Sequence, residues 1–176
     1  MPPGSKFWLV GMAILIRGIA YTQGPSEYQM KAAFLYNFAK FVEWPAISGK
    51  QASPIALCVL GKDPFDGELA RAVEGKNVDG RPFTTRRISE AGAAQSCQVL
   101  FVSASEAGRA AEIMKKIAGF SVLTVGDTDQ LWENGVMITF LMDRQRVRFR
   151  INQGAAERAS LKISSKLLSL AQTDNR

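Results

Sequence analysis

"IALCVLGKDPFDGELARAVEG", residues 55–75, changes its hydrophobic pattern part-way along, and that change decides the fold. Residues 55–60 form a short, continuous apolar run, as expected of a central strand covered on both faces. Residues 61–75 then read as a turn and a helix. Asp63 is placed as its N-cap and Pro64 as its first residue, where a missing N–H costs nothing. A buried strand leading directly into a helix begins a parallel crossover unit.

The pattern repeats downstream. "GRPFTTRRI" (80–88) is a polar strand suited to a sheet edge, and "CQVLFVS" (97–103) is a second buried strand. "SEAGRAAEIMKKIAG" (105–119) reads as a helix capped by Ser105 and ended by Gly119. "SVLTVGD" (121–127) is a third buried strand, with a short helix expected after Asp127. Upstream, "PSEYQMKAAFLYNFAKFVEWP" (25–45) is a helix opened by a Ser26–Gln29 capping box and stopped at Trp44-Pro45. Tyr28, Met30, Phe34, Leu35, Phe38, Phe41 and Val42 make one broad stripe along it, which is core in character. Tyr36 and Trp44 lie off the stripe and are the aromatic candidates for facing a partner. Residues 47–54 read as a loop.

The carboxyl third ends the alternation. "VMITFLM" (136–142) and "RQRVRFRIN" (144–152) flank Asp143-Arg144 as a hairpin. Arginines at 144, 146, 148 and 150 share one strand face, while Val147, Phe149 and Ile151 share the other, a core face. A two-residue turn at 143–144 puts Leu141 opposite Arg146, Thr139 opposite Arg148 and Met137 opposite Arg150. No acid pairs with the arginines in that register, so their face needs anions, solvent, a covering helix or a partner. Arg146, Arg148 and Arg150 are therefore candidate partner-binding residues, together with Tyr36 and Trp44. Residues 153–171 read as one closing helix that packs Ala156, Ala159, Ile163, Leu167 and Leu170. Together these elements predict a single α/β domain. Its mostly parallel central sheet carries helices on both faces, with a C-terminal antiparallel hairpin and a closing helix.

Composition narrows the function. With 47% hydrophobic and 22% charged residues the chain has the balance of an ordinary globular protein. Its net charge of +6 could suit an acidic partner. No nucleic-acid-reading module is present, and no nucleic-acid partner is expected. Lys6 followed by the apolar run "FWLVGMAILI" (7–16) fits an export signal, too short to span a bilayer. Residues 1–24 are expected to leave and 25–176 to form the domain. Lys6 and Arg17 depart with that segment, removing two of the net positive charges.

In an exported chain the pair Cys58 and Cys97 favours a disulfide, the alternative being two buried thiols in a cytosolic core. There is no histidine, which removes the commonest general base and metal ligand. Two cysteines alone do not make a structural zinc site. Neither a phosphate loop nor a dinucleotide fingerprint occurs. The strand ends at 61–63, 103–105 and 126–127 offer only a small-ligand crevice or ordinary caps. No catalytic residue, metal site or cofactor is assigned.

Taken in order, "YQMKAAFLYNFAKFVEWP", "CVLGKDPFDGEL", "CQVLFVS", "VLTVGD", "GVMITF" and "RVRFRIN" leading into "LKISSKLLSLA" resemble the YfiR family over about residues 27–171. The resemblance implies a periplasmic α/β protein without catalytic residues, and Cys58 and Cys97 fall where the family carries a disulfide. This chain lacks the second cysteine pair found in some members. It also implies a repressor that binds the periplasmic sensor domain of an inner-membrane diguanylate cyclase, lowering cyclic di-GMP and biofilm formation. An OmpA-like outer-membrane lipoprotein would draw the repressor away, and a homodimer is a further partner state to consider. The competing reading is a periplasmic small-ligand binding module that feeds a membrane sensor.

Overall fold

The computed structural model describes residues 24–45 and 53–172. The expected export segment and most of the loop at 47–54 lie outside them. Seven strands form the main sheet in the order β3-β4-β2-β5-β6-β7-β8. They are β2 (Ile55–Leu60), β3 (Asn77–Val78), β4 (Arg81–Ile88), β5 (Val99–Val102), β6 (Leu123–Gly126), β7 (Ile138–Asp143) and β8 (Arg146–Ile151). Strands β4, β2, β5, β6 and β7 run parallel, and β3 and β8 close the two edges antiparallel. The second parallel strand thus lies outside the first, which puts a topological switch point between β2 and β5.

Strand β2 is buried along its whole length because both its faces are covered. Ile55, Leu57 and Val59 pack with α1 (Glu27–Phe41) and α2 (Glu68–Val73), while Ala56, Cys58 and Leu60 pack with α3 (Ala110–Ile117) and Leu131 of α4 (Asp129–Glu133). Helix α1 starts with the expected capping box. It drives Phe38 onto Phe140 and Phe149, with ring centroids 5.6 and 5.0 Å apart. Replacing a fully buried Phe of this kind by Ala typically costs about 3–5 kcal/mol.

Four local expectations need correction. The helix expected at Asp63 begins only at Glu68: Asp63 Oδ1 accepts from the Phe65 N–H in a turn that sends Phe65 into the core at 1% exposure. The helix expected from Ser105 opens with a 3-10 turn, Ala104–Arg109, capped by Ser103.

The single closing helix does not form. Instead α5 (Gln153–Arg158) ends near Ser160, whose backbone is left-handed. Two short elements follow, β9 (Lys162–Ile163) and α6 (Ser165–Leu168). Ala156 and Leu161 are five residues apart and would point to different sides of one helix, yet both are buried. Breaking the helix lets Leu161 turn inward, and Leu170, expected in the core, is 60% exposed. Strand β9 pairs antiparallel with β1 (Val42–Glu43) directly after α1.

The hairpin has the expected faces but another register. The turn falls on Arg144 and Gln145, both with positive φ (45° and 65°). Asp143 then faces Arg146, Leu141 faces Arg148 and Thr139 faces Arg150. On the core face Ile138, Phe140 and Met142 oppose Ile151, Phe149 and Val147, so every cross-strand pair is apolar. The earlier register left Met142 against Gln145; apolar matching outweighs the awkward turn residues.

Candidate partner-binding surfaces

The hairpin separates its arginines. Arg150, near the inner end of β8, is half-buried: it lies over the Trp132 ring at 4.4 Å and Nη2 donates to Asp129 Oδ1 at 2.5 Å. The acid comes from a covering helix, α4, and not from the neighbouring strand. Arg146 and Arg148 are exposed, and their side chains make no hydrogen bond or ion pair among the described residues. Asp143 faces Arg146 across the ladder without an ion pair, and Met142 nearby is 50% exposed. A paired strand thus holds two solvated guanidinium groups on one face, with Met142 on the other, and has little backbone freedom to lose on binding.

Tyr36 and Trp44 are less open than expected. Tyr36 is half-buried, edge-on to Phe83 at 5.4 Å and beneath Lys76 Nζ at 4.4 Å. Trp44 is half-buried against the core, and its indole N–H is buried without an acceptor among the described residues. Neither joins the arginine row.

At the carboxyl ends of the strands, the crevice allowed by the topology is filled by the chain itself. A Cβ on Gly61 would lie 2.6 Å from both Glu106 Cγ and Ser105 Oγ, and the Lys62 N–H donates to Ser105 Oγ. Beside it, α1 delivers Lys31, buried at 3% exposure, to Asp127 at the end of β6. Lys31 Nζ is 2.7 Å from Asp127 Oδ2 and 2.6 Å from Glu27 Oε1, and the Tyr28 hydroxyl donates to the same Asp127 oxygen. Burial works to lower the Lys31 pKa, but its bonds to Asp127 and Glu27 prevail and hold it above the ordinary value. Burial, and then the Asp127 charge, push Tyr28 upward as well. This cluster is a latch between α1 and the sheet.

On the opposite sheet face, Cys58 and Cys97 are joined, with Cα atoms 6.0 Å apart. Cys97 ends the 3-10 turn Ala91–Ser96. Arg86 spans the bond: Nε lies 3.5 Å from Cys58 Sγ, while Nη2 donates to the Ser96 carbonyl at 2.7 Å.

A disulfide-tied doubly wound sheet closed by an antiparallel hairpin agrees with the comparison of sequences, in which the YfiR/HmsC-like family matches residues 28–172. The chain belongs to that family. No curated protein matches it. Among solved structures, a conserved domain protein from Vibrio cholerae shares the fold with a TM-score of 0.57 at 11% identity. The alignment covers 84% of this chain and 60% of that one, so the chain spans less than two thirds of that relative's length.

In this YfiR/HmsC-like chain the sequence exposed the disulfide and the arginine row but not the latch. Lys31 sits within the apolar stripe of α1, one turn before Leu35, where a lone charge needs a buried partner. The sequence signals were that position and Asp127, at the end of a buried strand in an α/β sheet. No described helix is long and apolar enough to cross a membrane.

Proposed function

We propose that this YfiR/HmsC-like chain is a periplasmic regulator without catalytic activity. It binds and represses the sensor domain of an inner-membrane diguanylate cyclase, thereby lowering cyclic di-GMP and biofilm formation. An OmpA-like outer-membrane lipoprotein is the partner that relieves repression. Family membership supports the regulatory and periplasmic parts of this reading. The observation that carries it further is the pair Arg146 and Arg148, held on a paired strand and with side chains that have no partner among the described residues. Cations in that position favour an acidic patch on a partner, which they would attract over a distance that salt shortens. The competing small-ligand reading has less support, because the crevice at the strand ends is occupied by Ser105 and Glu106.

The test is calorimetric titration of the cyclase's isolated sensor domain with wild type and with Arg146→Glu combined with Arg148→Glu. Both side chains are solvated, so the variant should keep the wild-type melting temperature. Its affinity should fall by about tenfold or more, equivalent to about 1.4 kcal/mol, with a shallower salt dependence. Equal affinity at low salt would refute the assignment of this face.

A further inference from the structure

The geometry points to a second interaction surface at the opposite edge of the sheet: β4 and α2 form a groove that accepts an extended, acidic segment of another protein as an added strand. The surface is remote from the arginine row and does not depend on it. Strand β4 pairs with β2 along Phe83–Ile88 on one side. On its other side β3 pairs only with Arg81 and Pro82. The turn between β3 and β4, Asp79-Gly80, has positive φ at both residues and closes on Val78 and Arg81, so the backbone of Arg81 points toward β3. By alternation Phe83, Thr85 and Arg87 point their N–H and C=O groups away from β2. Thr85 and Arg87 have no backbone partner on that side among the described residues, and Phe83 lies against the end of β3.

Such an edge is a template for pairing unless something covers it. Here it borders a groove of about 670 Å³ between the strand and α2. Val73, Pro82 and Phe83 supply apolar lining, with Arg71 and Lys76 at the rim. A strand edge beside a helix is the arrangement in which main-chain bonds give affinity and alternate side chains fill the groove. Tyr36 serves this surface from behind by bracing Phe83 and Lys76.

Charge selects the occupant. Strand β4 carries Arg81, Arg86 and Arg87 and no acid. Arg87 is exposed and makes no hydrogen bond or ion pair among the described residues. Glu74 is the one acid among the described residues that line the groove. A second copy of β4 would bring like charges together, whereas an acidic strand relieves them.

Amide hydrogen exchange on the purified full chain tests this with a synthetic peptide of alternating valine and glutamate, roughly eight residues long to match the edge. The acidic peptide should slow exchange at Thr85 and Arg87 by about tenfold or more, as new hydrogen bonds require. A valine–lysine counterpart should have no effect. Thr85→Pro removes an outward N–H that β2 does not use, and should abolish the protection. Arg87→Glu should weaken it and tests charge without a backbone change. Three results would each overturn the proposal: no protection by the acidic peptide, equal protection by the lysine peptide, or these amides already protected in the protein alone. In the last case, dependence on protein concentration would identify a second copy as the occupant, and independence would identify the chain's own backbone.

Discussion

A lysine carried on a helix and buried to 3% exposure is the least expected residue in this molecule. Lys31 is tolerated because Asp127 and Glu27 neutralise it and the Tyr28 ring lies 4.4 Å away. Removing one partner of such a buried pair is costlier than never having built it, because the other charge is left behind. Lys31→Met should therefore destabilise the protein by about 3–5 kcal/mol in denaturant titrations, and Asp127→Asn in the same chain should recover part of the loss. The pH dependence follows from the two raised groups. Lys31 and Tyr28 hold their protons more tightly folded than unfolded, so their contribution is fully present below the ordinary values of 10.5 and 10.0. It is lost as pH rises through the raised values. Wild-type stability should fall in strongly alkaline solution, and Lys31→Met should flatten that fall. An unchanged alkaline slope in the variant would remove the latch from the account. Helical phase separates Lys31, on the apolar stripe, from Lys40, exposed on the opposite face; which acid neutralises Lys31 shows only when the fold brings Asp127 beneath it.

The hairpin and the disulfide show the same division at the scale of elements. Alternation of Val147, Phe149 and Ile151 made the core face of β8 legible from sequence alone, because burial selects it directly. The register was not legible: its turn uses Arg144 and Gln145 in left-handed backbone, where Asn and Gly are the usual residues. Arg144→Asn with Gln145→Gly should raise the denaturation midpoint by an amount worth about 1 kcal/mol or more. No gain would mean that the strained turn is offset by contacts of the native side chains. The disulfide was legible from its two cysteines and the export pattern. Cys58→Ala opens a loop spanning 39 residues and should cost about 4 kcal/mol in the chain-entropy description. A reducing agent should then lower the wild-type melting temperature toward that of the variant and leave the variant unaffected. The break of the closing helix at Ser160 was hidden because α5 and α6 together keep a helical pattern of small and apolar residues.

At the scale of the whole molecule, the buried strands and their alternation with helices were enough to place the parallel sheet, since continuous apolar runs have few other uses in a chain of this composition. The sheet's edges were not. Strand β4 reads as polar, and its lack of a partner beyond Pro82 depends on β3 being only two residues long. The clasp between β1 and β9 was invisible, because two-residue strands leave no pattern. That clasp has a consequence in time. It joins Val42 to Ile163, and Gln172 donates to the Phe149 carbonyl. Helix α1 is made early yet rests on Phe140, Phe149 and Ile163, which the ribosome delivers near the end. Contacts so distant along the chain form late and slowly. Ending the chain after Arg158 should speed amide exchange in α1 far more than in β2 or β5, and unchanged exchange in α1 would contradict the point. A chain whose α1 must wait for the segment at 161–172 has no finished core to close around until that segment has emerged.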